Sequence, residues 1–152
     1  MRVSFESWVK NSWLERLDSD AAEIARLLGL ADRRLEDYER AVVGKLSPDV
    51  QLTLAYDAVR SSATAALRAA GYRVVRGGSE HYRTIEALEF SIDPQRKVVP
   101  TLDALRKKRN VGSYEDYGLV SQGEADRCGK MAIRVRKEIE EWIRKNHGDK
   151  IV

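Results

Sequence analysis

Apolar residues recur along this chain at three- and four-residue steps, the period of helices with one buried face. Ile24, Leu27, Ala31, Leu35, Tyr38, Val42 and Leu46 form one such stripe. Asp20-Ala-Ala-Glu23 in front of it has the spacing of a capping box. The stripe runs through Gly29, where the helix either continues or bends. Ser47-Pro48 joins an N-cap to a proline at the first helical position. The helix it opens carries Leu52, Ala55, Tyr56, Val59, Ala63, Ala66, Leu67 and Ala70 on one side. Asp57, Arg60, Ser61, Thr64 and Arg68 lie on the other, and the many alanines let a neighbouring helix come close. Gly71 is a natural stop, and residues 72–78 read as a loop ending in Gly77-Gly78.

Ser79 can cap a further helix with His81, Ile85, Leu88 and Ile92 on one stripe, closed at Asp93-Pro94. Val98, Leu102, Leu105 and then Arg109 continue the pattern around Pro100, so this segment is kinked or starts late. Residues 111–120 read as a loop. Ser121-Gln-Gly-Glu124 is a second capping box, and Ala125, Cys128, Ala132, Val135, Ile139 and Trp142 form a regular seam behind it, ending at Lys145-Asn-His-Gly148. Residues 4–17, with Phe5, Trp8, Val9, Trp13, Leu14 and Leu17, read as a short amphipathic helix or a docked arm whose tryptophans cover the core. No Val/Ile/Thr alternation of any length supports strands. The expected fold is all-α: a single domain over 1–152, with an arm at 1–18 and an up-and-down bundle of about five helices over 20–146.

Composition agrees. The 152 residues are 43% hydrophobic and 34% charged, which suits a globular chain with many solvated helix faces. The single cysteine, Cys128, excludes an internal disulfide and fits a reducing compartment; lying on the last seam, it reads as a small core residue. The amino terminus has no apolar core of a secretory signal, and the longest apolar run, at 27–31, is too short for a bilayer. A cytoplasmic protein with no membrane partner is expected.

The net charge of +3 says little by itself, but its distribution says more. Arg106, Lys107, Lys108 and Arg109 are consecutive cations, and Arg134, Arg136 and Lys137 form a second cluster. Arg109 continues the apolar seam of Leu102 and Leu105, so its guanidinium needs a carboxylate, an interface, a phosphate or a route to water. Asn110 can both donate and accept. Tyr114 and Tyr117 flank Glu115-Asp116; beside the cations they could stack on bases, or they could cover the end of the bundle. His81, on an apolar stripe, suits a core or interface position, and His147 suits an exposed tail. No cofactor is expected: the histidine and cysteine spacing does not suit a metal, and there is no phosphate-binding glycine loop and no nucleophile elbow.

The segment Leu105-Arg-Lys-Lys-Arg-Asn-Val-Gly-Ser-Tyr-Glu-Asp-Tyr117 resembles the HEPN superfamily, small helical bundles of prokaryotic defence and toxin–antitoxin systems. The alanine-rich helix over 55–71 and the histidine-bearing segment over 79–88 are similar to that family's helices, and the resemblance covers roughly residues 47–145. It implies a homodimer whose two Arg–Asn helix ends face each other across a cleft. Active members cleave RNA there without metal, the Arg holding phosphate and a His moving the proton of the 2′-hydroxyl. Arg109 and Asn110 match the motif. Tyr114 stands at the nearest spacing allowed for the His, with Glu115 and Asp116 at the others. Tyrosine, titrating near ~10, is a poor base at neutral pH. His81 could take that part if its helix end comes near Arg109. The expectation is therefore a domain that binds RNA, a nucleotide or a cognate partner protein through the segment 106–117, with Arg106, Lys107, Lys108 and Tyr117 as nucleic-acid contacts and without efficient catalysis. The alternatives are a metal-independent ribonuclease using Arg109, Asn110 and Tyr114 or His81, and a plain protein-interaction module.

Overall fold

The computed structural model describes residues 4–112 and 120–151; of residues 109–112 it describes the helical backbone and not the side chains. These residues form α1 (Phe5–Lys10), β1 (Leu14–Arg16), α2 (Ala21–Val43), α3 (Pro48–Ala69), β2 (Tyr72–Val74), α4 (Glu80–Glu86), α5 (Val99–Gly112) and α6 (Gln122–Asn146). One 3-10 turn, Ala87–Phe90, extends α4, and another, Gly148–Lys150, follows α6. The all-α bundle is as expected, with six α-helices among the described residues.

The helix ends follow their caps. Ser47 accepts from the Val50 N–H with Pro48 in the first turn, and Ser121 and Glu124 complete a reciprocal capping box. Asp20 accepts from the Glu23 N–H at 2.8 Å, but the Glu23 carboxylate does not return the contact: it goes to Arg68 instead. α2 passes Gly29 without a break. α5 starts late, with Pro100 in its first turn where no N–H is needed. Its start is capped from a distance, since the Asp93 carboxylate accepts from the N–H groups of Lys97, Val98 and Val99 at 2.7–2.9 Å.

α3 is the central element, touching α2, α4, α5, α6 and β2. The expected two-sided helix is therefore buried almost all round: Ala58, Ser61, Ser62, Ala65 and Arg68 are buried as well as its apolar stripe. The main core joins Ile24, Leu28, Leu52, Tyr56, Val59, Leu88, Leu102, Cys128, Ile139 and Ile143. The far end of the α2 stripe leaves the core, with Val42, Val43, Leu46 and Val50 exposed around the α2–α3 turn.

Two expectations about the arm and the 72–78 loop are corrected. Residues 14–16 and 72–74 pair as an antiparallel ribbon, Leu14 opposite Val74 and Arg16 opposite Tyr72. Each strand is only three residues long, too short for an alternation signal. The arm docks as a second small core of Trp8, Leu14, Leu67 and Ala87, edged by Phe5, Trp13, Tyr72 and Phe90. Trp8 meets Trp13 and Phe90 edge-on, and Arg83 lies 3.8 Å above the Trp13 ring. The tryptophans thus cover the core, as read from the sequence.

Arg68 ties arm and bundle together. It donates to Glu23 Oε2 at 2.6 Å and to the carbonyls of Leu17, Asp18 and Tyr72 at 2.7, 2.7 and 3.0 Å. The sequence put it on the side opposite the apolar stripe, yet it is buried, and its partners lie 45 or more residues away for all but Tyr72.

Candidate functional site: a cleft between α4 and α5

An open cleft of about 410 Å³ lies where the start of α4 approaches α5. Gly78, Ser79, Glu80, His81, Tyr82 and Arg106 line it. Three local features build it. Gly78, at φ +88°, turns the chain into α4 in a conformation that side chains disfavour. Glu80 accepts from the Gly77 N–H at 3.1 Å and holds that turn; Ser79, the expected cap, makes no capping bond. The Asp93 cap and the Arg96 bonds to Glu86 and Glu89, at 2.7 and 2.8 Å, fix how α5 returns beside α4.

His81 is exposed, not packed on the Ile85–Leu88 stripe where the sequence put it. His81 lies in the first turn of α4, at the margin of the core that Ile85 and Leu88 enter. His81 Nε2 lies 2.7 Å from Nη1 of Arg60 on α3. Arg60 in turn lies 3.9 Å from Asp57, one turn back. Glu80 beside it is held below the ordinary carboxylate range by its backbone N–H bonds, with a smaller effect from His81. Tyr82 is exposed, and the Arg106 guanidinium sits 5.6 Å from its ring centre. Carboxylates near Tyr82, Glu86 first, push its phenol above the ordinary value, so it is a neutral hydroxyl at physiological pH.

The run of cations on α5 is partly offset. Asp103 meets Arg106 at 3.1 Å and Lys107 at 3.5 Å, and Lys108 meets Glu124 at 2.9 Å. The Lys107 and Lys108 pairs are exposed at the lysine, weak, and exchange readily with other anions, whereas the Arg106–Asp103 pair is half-buried. In the second cluster Arg134 meets Glu138, and Arg136 meets Asp32 and Glu140.

Arg109 and Asn110 lie in α5, three and four residues beyond Arg106, and their side chains fall outside the description. α5 continues through Gly112, so the first residues of the expected 111–120 loop are helical. Tyr114 and Tyr117 lie outside the described residues. Of the sequence-derived candidates, His81 and Arg106 share one cleft. Sequence reasoning gave no role to Arg60 or Tyr82. Arg60 meets His81 across 21 residues, and no short spacing marks that contact.

Other candidates resolve into structure. Cys128 is buried, and burial pushes its thiol up to about 12. His147, expected to be exposed, is half-buried with its ring centre 5.2 Å from that of Trp142, and burial lowers its proton affinity. Among the described residues no three His, Cys, Asp or Glu side chains converge as a metal site, and no helix is long and apolar enough to cross a membrane.

Fold and site together define a helical bundle with an open, cation-edged cleft. No family model, curated protein or solved structure matches the chain.

Proposed function

We propose that this is a HEPN-like domain that binds RNA through the α4–α5 cleft and the adjoining segment 106–117. The observation that carries the reading is the meeting of His81 and Arg106 in one open cleft at the head of that segment. Arg106, Lys107 and Lys108 supply cations for a phosphate backbone, the two lysines from exposed, exchangeable pairs. Tyr82, exposed and next to His81, offers a ring on which a base can stack. Arg109 and Asn110 extend the same helix by one turn and are the phosphate-facing pair of the reading. Tyr114 and Tyr117 belong to it by sequence. The active form is a homodimer, which brings two such helix ends together, and a cognate partner protein would act by covering them.

Fluorescence anisotropy with a labelled oligouridylate tests this. Binding is expected to weaken steeply with salt, and R106A and R109A each to reduce affinity by about 1–2 kcal/mol, checked against unchanged helical circular dichroism. Absence of binding, or binding indifferent to both substitutions, overturns the reading. Sedimentation over a range of concentrations tests the dimer, and a monomer throughout removes the two-chain version of the site.

The position of His81 favours one second reading, metal-independent RNA cleavage. An imidazole in the cleft could accept the 2′-hydroxyl proton while cations hold the phosphate. Incubation of RNA with the protein and a chelator decides it: a cyclic-phosphate product lost in H81Q supports cleavage, and intact RNA at high protein concentration contradicts it.

A further inference from the structure

Arg60, on α3, meets His81 at the edge of the cleft. Its Nη1 is 2.7 Å from His81 Nε2 and 3.3 Å from Nδ1, and Asp57 lies 3.9 Å from its Nη2. A guanidinium has donors only. The ring nitrogen that Arg60 meets therefore accepts, which requires it to carry no proton. An imidazolium in that place would set two donors, both positive, against each other.

We propose that Arg60 and His81 form a phosphate subsite, and that a bound phosphodiester is held with uptake of one proton by His81. This rests on the cleft binding nucleic-acid phosphate, as proposed above. A phosphodiester offers acceptors only, and two charged oxygens. Set between the pair, it replaces the Arg60–His81 bond with one bond from each. The proton comes from water, and no bond to phosphorus changes. The negative charge offsets the repulsion that otherwise keeps the ring neutral beside Arg60.

The surroundings decide how finely this is balanced. Arg60 meets the ring from α3 with Asp57 behind it, Glu80 and Tyr82 adjoin it on α4, and Arg106 lines the same cleft from α5. Glu80, held ionised by its backbone bonds, and Asp57 favour the imidazolium; Arg60 and Arg106 oppose it. A phosphate set between Arg60 and His81 adds its negative charge to the carboxylates' side of that balance. Imidazole is the side chain that such a charge can switch near neutral pH.

Calorimetry of the full chain with an oligouridylate, whose bases do not titrate in this range, in two buffers of different ionisation enthalpy tests the subsite. The expected result is uptake of up to one proton per site, with affinity falling by up to about tenfold per pH unit between about pH 6 and about pH 8. H81Q, at an exposed position, should still bind but take up no proton and lose that pH dependence. R60Q should weaken binding on the order of tenfold, the loss of one charged hydrogen bond. RNA binding without proton uptake, unchanged in H81Q, overturns the inference and leaves the RNA-binding reading intact. If RNA does not bind, that reading falls, and dimethyl phosphate then tests the subsite directly: an upward shift of the His81 NMR titration midpoint sustains a phosphate site of another use, and no shift removes it.

Discussion

Arg68 shows how one side chain can join parts of a chain that have no local reason to meet. Its side chain is 8% exposed and spends its donors on Glu23, on Tyr72 and on the two carbonyls that lead from the arm into α2. Removing it strands a carboxylate and three carbonyls, a loss that exceeds the bare worth of the bonds. R68M is expected to destabilise the fold by about 3 kcal/mol in denaturant unfolding; a change below about 1 kcal/mol would contradict the role given to it. Cys128 makes the opposite case, a reactive group that burial silences. The folded state favours its neutral thiol up to about 12, so this contribution to stability is full at neutral pH and fades as pH rises from 9.0, the thiol's ordinary value, towards 12. The native protein should not react with an aromatic disulfide reagent near pH ~8, and should release one equivalent of chromophore once unfolded. Prompt reaction of the folded chain would show that the thiol is not where the core places it.

At the scale of elements, helices were legible wherever caps and seams coincide, as in α3 and α6. Ser47-Pro48 and Ser121 with Glu124 act within one turn, and local chemistry of that range can be read from sequence. Contacts that cross the fold left no local mark. The β1–β2 ribbon, the departure of Glu23 from its capping box and the Arg60–His81 meeting are all decided by partners far along the chain. The cation run on α5 and His81 on α4 were therefore legible, while Arg60 on α3 and Tyr82 on α4 were not. Two helical glycines make a further point about packing. A Cβ on Gly129 of α6 would overlap the Tyr38 ring of α2, whereas one on Gly29 of α2 would meet nothing within 4 Å. Gly129 thus sets how closely α6 approaches α2, while Gly29 is a conformational cost without a packing return. G129A should destabilise by about 1–3 kcal/mol and G29A should stabilise by up to about 1 kcal/mol, both from thermal or denaturant unfolding. Equal effects of the two would mean that the α2–α6 packing is not as described.

For the whole molecule, the arrangement separates the packed core from the proposed binding cleft. α3 is enclosed by its neighbours and the arm is bolted on through Arg68, while the cleft lies at the margin, edged by a seven-residue helix and by the charged run of α5. A second exposed feature, the apolar end around Val42, Val43, Leu46 and Val50, lies at the α2–α3 turn and belongs to other elements than the cleft. The two surfaces give opposite answers to one measurement. In a ¹⁵N-labelled sample titrated with an oligouridylate, RNA in the α4–α5 cleft is expected to shift amides mainly at residues 78–82 and 106–110 and at Arg60, the shifts diminishing as salt is raised. Shifts confined to residues 42–50, or no shift at saturating RNA, would contradict the assignment of RNA to the α4–α5 cleft.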